Sequence, residues 1–198
     1  MNYLAHAYLS FNHPSVLVGN MISDFVKGKK KLDYPLHVQK GITLHRAIDT
    51  FTDTHAATKN AEQYIKPAVG RYAGAFVDVI YDHFLASDLS IFSNDALLQQ
   101  FANVVYNTLE ENKWLLPERF QHMLPYMQSQ NWLFNYKTKW GTEKSIGGVM
   151  RRAAYLVETD AVFKAFEENY DALQACYAIF IEDVKIFAAD QFQRLMDE

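Results

Sequence analysis

The chain has 198 residues and a net charge of −4, a mild acidity that argues against general binding to a nucleic-acid backbone. Apolar residues make up 49% and aromatics 15%, which excludes a disordered chain and supplies a sizeable core, with one domain over 1–198 as the expectation. The single cysteine excludes an intramolecular disulfide and a thiolate zinc site. The opening MNYLAHAYLS has no basic start and a histidine inside its apolar stretch, so it does not read as a signal peptide. No apolar run approaches the roughly 20 residues of a membrane span. A cytoplasmic protein with no membrane partner is the expectation.

Only 8 glycines and 5 prolines punctuate the chain, which favours long helices. Residues 2–10 predict a short helix and 14–28 another, opened by Pro14-Ser15 and closed by Gly28. A loop over 29–35 carries Lys29, Lys30 and Lys31, a basic run that reads first as a solvated surface. The third helix covers 36–53. Thr54-His55 caps the next, which reaches about Ile65 before Pro67 interrupts or kinks it. Over 68–87, Val69, Tyr72, Ala73, Phe76, Ile80 and Phe84 recur every three or four residues, the clearest amphipathic stripe in the chain. A helix over 94–112 takes its cap from Ser93 or Asn94, and Pro117 and Pro125 bracket a short one. The aromatic-rich 126–139 follows, Gly141-Thr142 breaks the chain, and helices over 143–157 and 161–196 complete it. No alternating β-branched run is present, so the predicted fold is an all-α helical bundle.

Acids and histidines concentrate at helical spacing in two places, His45 to Asp53 and Asp78 to His83. Residues four apart share a helix face, which pairs His45 with Asp49, Asp78 with Asp82, and Asn20 with Asp24. A carboxylate in an apolar helix is costly unless a cation, a proton or water compensates it. His6 and Asp24 also lie in apolar surroundings. Imidazoles and carboxylates converging from several helices suit a divalent ion with oxygen-rich ligands. Other readings stay open: Arg71 in a salt bridge with the Asp78–Asp82 face, Arg46 paired with Asp49 or Asp53, and His83 as a proton donor or as the support of a ligand. The 126–140 aromatics either pack in the core or grip a partner helix. No nucleophile elbow, phosphate loop or dinucleotide fingerprint is present.

At these residues the chain resembles the acyl carrier protein phosphodiesterases. Met1-Asn2-Tyr3-Leu4-Ala5-His6 resembles their opening, Gly19 through Gly28 their second block, His45-Arg46-Ala47-Ile48-Asp49 continuing to Asp53 the third, and Asp82-His83-Phe84-Leu85 the fourth. Gln130-Asn131-Trp132-Leu133 and Val149-Met150-Arg151-Arg152 are weaker matches. The resemblance implies a distantly HD-phosphohydrolase-like fold and a manganese-dependent enzyme, with magnesium or another divalent ion as the alternative. Its substrate would be holo acyl carrier protein, cleaved to the apo-protein and 4′-phosphopantetheine. It implies a metal site drawn mainly from residues 1–85: Asp24, His45, Asp82 and His83, with Asp49, Asp78 and His6. The tight pair here is Asp82-His83, the reverse of the HD order, so HD ligand roles do not transfer directly.

Phosphodiester cleavage also needs charge neutralisation and a proton for the leaving serine, a role expected of His83 or His6, with Arg46 on a phosphoryl oxygen. An acidic carrier protein would require local cations, for which Lys27, Arg71, Arg151 and Arg152 are the candidates beside the 29–31 run. A nucleotide or other small phosphoester as substrate, and a non-catalytic binding module, are the competing functions.

Overall fold

A computed structural model describes residues 1–152 and 159–197. Among these residues the chain is helical with no strand: α1 (Tyr3–Tyr8), α2 (Pro14–Ile22), α3 (Leu36–Thr54), α4 (Ala56–Val69), α5 (Ala73–Ser87), α6 (Asp95–Glu111), α7 (Glu118–Ser129), α8 (Trp132–Asn135), α9 (Lys139–Arg152), α10 (Thr159–Glu168) and α11 (Tyr170–Asp197). The all-α expectation is met. Of the helix expected over 143–157, residues 153–157 lie outside the described residues.

The pairing of α2 with α3 sets the geometry of the site. Gly19 and Gly41 face each other where these helices cross. A Cβ on Gly19 would fall 2.1 Å from the Val38 carbonyl oxygen, and one on Gly41 would fall 2.3 Å from that of Val16. Only bare backbone fits there. Around the crossing, Val16, Val18, Ile22, Val38, Ile42 and Ile48 are buried and join one core with Leu4 and Leu9 of α1, Phe76 and Ile80 of α5, and Phe180 and Val184 of α11. Two consecutive left-handed residues, Phe11 (φ 51°) and Asn12 (φ 57°), turn the chain from α1 into α2.

Several boundaries differ from those expected. α2 stops at Ile22 and gives way to a 3-10 turn over Ser23–Phe25, so Asp24 leaves the helix and does not continue the face of Asn20. Pro67 and Pro125 lie inside α4 and α7. Each removes only its own amide bond, and buried Ile65, Val69, Leu124 and Met127 hold the flanking turns in the core. The stripe expected over 68–87 begins at Ala73, because Gly70 adopts φ 59° and a 3-10 turn occupies Gly70–Tyr72. α9 runs through Gly141, where a Cβ would meet the Asn135 carbonyl oxygen at 2.0 Å. The predicted 161–196 helix divides at Asn169, whose side-chain amide donates to the Ala165 carbonyl at 2.8 Å.

Candidate metal centre

Asn20 is fully buried in the last turn of α2 and organises two histidines. Its side-chain oxygen accepts from His6 Nδ1 at 2.8 Å. Its side-chain nitrogen donates to the His6 carbonyl at 2.8 Å and to Ser10 Oγ at 3.1 Å. Its backbone carbonyl, left without a helical partner near the end of α2, accepts from His45 Nδ1 at 2.7 Å. This bonding assigns the Nδ1–H tautomer to both rings, which stack with centroids 3.8 Å apart.

Both Nε2 atoms then face carboxylates. His6 Nε2 lies 3.1 Å from Asp49 Oδ1, and His45 Nε2 lies 3.1 Å from Asp49 Oδ2. Asp24 Oδ1 is 3.3 Å from His45 Nε2. Burial opposes charge on His45, but hydrogen bonds to Asp24 and Asp49 overcome it and push its pKa up to about 9. Burial and the charge on His45 drive His6 down to about 4. The carboxyl of Asp49 is held well below its ordinary range by the two imidazoles, against the effect of burial. Its bond to His45 lowers Asp24 as well.

A single proton therefore serves two rings near neutral pH. Two imidazoliums stacked this closely would repel by about 4 kcal/mol at an effective dielectric of 20. The unprotonated His6 Nε2 is left pointing its lone pair at an ionised carboxylate. A cation between the donors removes that conflict. Cis donors of an octahedral ion bound at about 2.1 Å lie about 3 Å apart, close to the spacings here. His6, His45 and Asp49 offer donor atoms all within 4.8 Å of one another. An Nδ1–H anchored on a protein oxygen is also the usual support of a ligating histidine. The donor set fits a divalent ion, with Asp24 at its edge.

The structure does not bring the remaining predicted ligands into this group. Asp82 is fully buried beneath the first turn of α1, where its carboxylate accepts from the Leu4 amide at 2.7 Å and the Ala5 amide at 3.2 Å. It caps α1 from a neighbouring helix. Burial raises its pKa to about 7 even against these bonds. His83 has both ring nitrogens engaged: Nδ1 donates to the Tyr136 carbonyl at 2.8 Å, and the Tyr170 hydroxyl donates to Nε2 at 3.0 Å. Burial lowers its pKa, which keeps it neutral. Asp82 and His83, expected at the metal, therefore stand apart from His6, His45 and Asp49, each engaged by backbone or hydroxyl partners. Asp78 bonds the Met1 amino group at 2.8 Å.

Arg46 does not line the cleft beside the metal group. It donates to the Val26 carbonyl at 2.8 Å and so ties the segment after Asp24 to α3. Arg71 is exposed and bonds the Tyr72 hydroxyl at 3.0 Å, with no salt bridge to Asp78 among the described residues. The Arg152 side chain lies outside the described residues. Lys27, in contrast, lines a cleft of about 490 Å³ together with Asp24, Tyr3, Asp78, Glu118 and Arg119. Sequence reasoning missed Glu118 and Arg119, which carry no motif and reach the cleft only through the packing of the 117–119 segment. It also missed the task of Asn20, whose spacing from Asp24 suggested a shared face.

A family model for acyl carrier protein phosphodiesterase matches residues 1–184. The chain belongs to the acyl carrier protein phosphodiesterase family. Among its relatives, the acyl carrier protein phosphodiesterase of Klebsiella pneumoniae is 32% identical over 174 residues, covering 88% of this chain and 90% of the relative. That of Yersinia pestis is 31% identical over 180 residues, covering 91% and 93%. That of Enterobacter sp. (strain 638) is 29% identical over 191 residues, covering 96% and 99%. No solved structure matches the chain. The family match spans the metal group, the cleft and most of α11. Among the described residues no helix is long and apolar enough to cross a membrane.

Proposed function

We propose that the protein is a divalent-metal-dependent phosphodiesterase that hydrolyses the bond between 4′-phosphopantetheine and the serine of holo acyl carrier protein, releasing the apo-protein and free 4′-phosphopantetheine. The observation that carries this reading is the pair of Asn20-anchored imidazoles aimed at Asp49 beside a cleft, in a chain of this family. His6, His45 and Asp49, with Asp24 at the edge, would hold the ion, and manganese suits a set of imidazoles and carboxylates. A bound divalent ion supplies a nucleophile at neutral pH and offsets charge on the phosphoryl oxygens.

The residues of the chain divide the remaining work. Lys27 and Arg119 line the cleft and carry the positive charge that meets the phosphate. Burial raises the Asp78 carboxyl above its ordinary value, against the pull of the Met1 ammonium. Asp24, by contrast, is held low. Asp78 lines the same cleft, its carboxylate paired with the Met1 amino group at 2.8 Å. Arg46 acts through Val26, keeping the turn that bears Asp24 against α3.

An acidic carrier protein would approach over Lys27 and the exposed Lys29 and Lys30 that follow it. The cytoplasm, where such a substrate is made, is the location this reading implies. Mass spectrometry of holo carrier protein incubated with the enzyme tests it. The expected result is a loss equal to the prosthetic arm that requires Mn²⁺ and stops on chelation. An intact carrier, with Mn²⁺-dependent turnover of a nucleotide instead, would overturn the substrate assignment.

A further inference from the structure

Beside the cleft lies a second cavity of about 330 Å³, within the size range of small-molecule sites. The two share Asn2 and Tyr3 as a common wall. The cavity is built on one face of α9: Trp140, Lys144, Gly148 and Arg151 follow one another at three- or four-residue spacing and all line it. Trp132, Gln130 and Asn135 also line it. Gly141 permits the arrangement, since its missing Cβ lets the start of α9 seat against Asn135. His83 fixes the wall from behind through the Tyr136 carbonyl, with Thr142 Oγ1 at 3.0 Å from the same ring nitrogen. At Gly148 the space is open: an added Cβ would meet nothing nearer than the Arg151 guanidinium at 3.8 Å.

We infer that this cavity receives the pantetheine portion of the substrate's prosthetic arm while the phosphate sits in the cleft beside the metal group. The inference rests on the function proposed above. Pantetheine alternates apolar and amide groups: a gem-dimethyl carbon, two amides and a terminal thiol. Two indoles present apolar faces to such a chain. Gln130 Oε1 accepts from Trp132 Nε1 at 3.0 Å and Asn135 Nδ2 donates to the Gln130 carbonyl at 2.8 Å, so Gln130 Nε2, Asn135 Oδ1 and the Ser145 hydroxyl are the groups that match amides, and Lys144 and Arg151, unpaired with any acid among the described residues, offer donors to carbonyl oxygens. A ligand whose phosphate lies in the cleft enters the cavity across Asn2 and Tyr3 without leaving the protein surface. The cavity thereby reads the arm, and the cleft cuts it.

Gly148→Leu tests the assignment, because its side chain enters the cavity rather than the backbone. Rates are measured with Mn²⁺ on holo carrier protein and on bis(4-nitrophenyl) phosphate, which has no arm. The variant is expected to lose at least about tenfold more kcat/KM on the carrier than on the small diester, mainly through KM. In parallel, 4′-phosphopantetheine should quench tryptophan fluorescence in the parent protein and not in Gly148→Leu, while inorganic phosphate and AMP quench neither. Equal losses on both substrates, no loss on the carrier, or quenching by AMP as strong as by 4′-phosphopantetheine would overturn the inference. If the parent enzyme leaves holo carrier protein intact, the proposed function fails, and the fluorescence titration still decides whether the cavity takes the arm.

Discussion

Asn20 shows how one residue can set the chemistry of two others. By occupying Nδ1 of both His6 and His45 it leaves each Nε2 lone pair for a metal or a proton. In the ion-free protein the extra proton resides on His45, whose pKa rises from 6.5 to about 9. The stability this proton contributes is fully present below pH 6.5 and is lost as pH rises through about 9. Metal binding must displace it. Mn²⁺ affinity should therefore tighten by roughly tenfold per pH unit across this window, with about one proton released per ion. Calorimetry in two buffers of different ionisation enthalpy reads both quantities, and a pH-independent affinity would contradict the assignment of His45. The members of this candidate group were among the residues singled out in the sequence, since His6, Asp24, His45 and Asp49 are types that can bind a metal. The fates of Asp82 and His83 were not legible there. Helical spacing fixes the face a side chain occupies, whereas the amides that Asp82 caps lie 77 and 78 residues away in the chain.

Between elements, the close crossing of α2 and α3 places the Asn20 carbonyl within reach of His45. Gly19→Ala would drive a methyl into the Val38 carbonyl, and overpacking of this kind costs about 1–3 kcal/mol. The expected outcome is a lowered Tm together with weakened Mn²⁺ binding, because the helices must separate at the point that aligns Asn20 with His45. Differential scanning calorimetry with and without Mn²⁺ checks this, and a variant as stable and as metal-avid as the parent would contradict it. Patterns with strong periodicity gave good boundaries: α3 and α6 fall within one residue of those expected. Pro125 and Gly141 misled, where burial of the residues flanking Pro125 outweighs one lost amide bond and the contact at Gly141 demands a missing Cβ, while Pro67, read as interrupting or kinking the helix, lies inside α4. The end of α2 had no local signal. The turn after it is held by Arg46 on Val26, a contact from another helix.

Across the whole molecule, the candidate metal group comes from the first 49 residues. The cleft and its neighbouring cavity draw on 117–119 and on α7, α8 and α9, which the sequence marked only as weak blocks or aromatic richness. The net charge of −4 hides a local cationic edge at Lys27, Lys29, Lys30 and Lys31. Replacing Lys29, Lys30 and Lys31 with alanine should raise KM for holo carrier protein and flatten its salt dependence while leaving kcat in place, because steering charges act before the chemistry. Steady-state kinetics at two ionic strengths would show it, and an unchanged KM would remove this edge from the docking route. Everything else depends on donors from α1 and α3, with the turn after α2, closing on one ion. Electron paramagnetic resonance of added Mn²⁺ tests this most directly, comparing the parent with Asp49→Ala and with Asp82→Asn, each shown to be helical by circular dichroism. The account predicts bound Mn²⁺ in the parent and in Asp82→Asn, and free aqueous Mn²⁺ with Asp49→Ala. Binding that survives Asp49→Ala and vanishes with Asp82→Asn would contradict it.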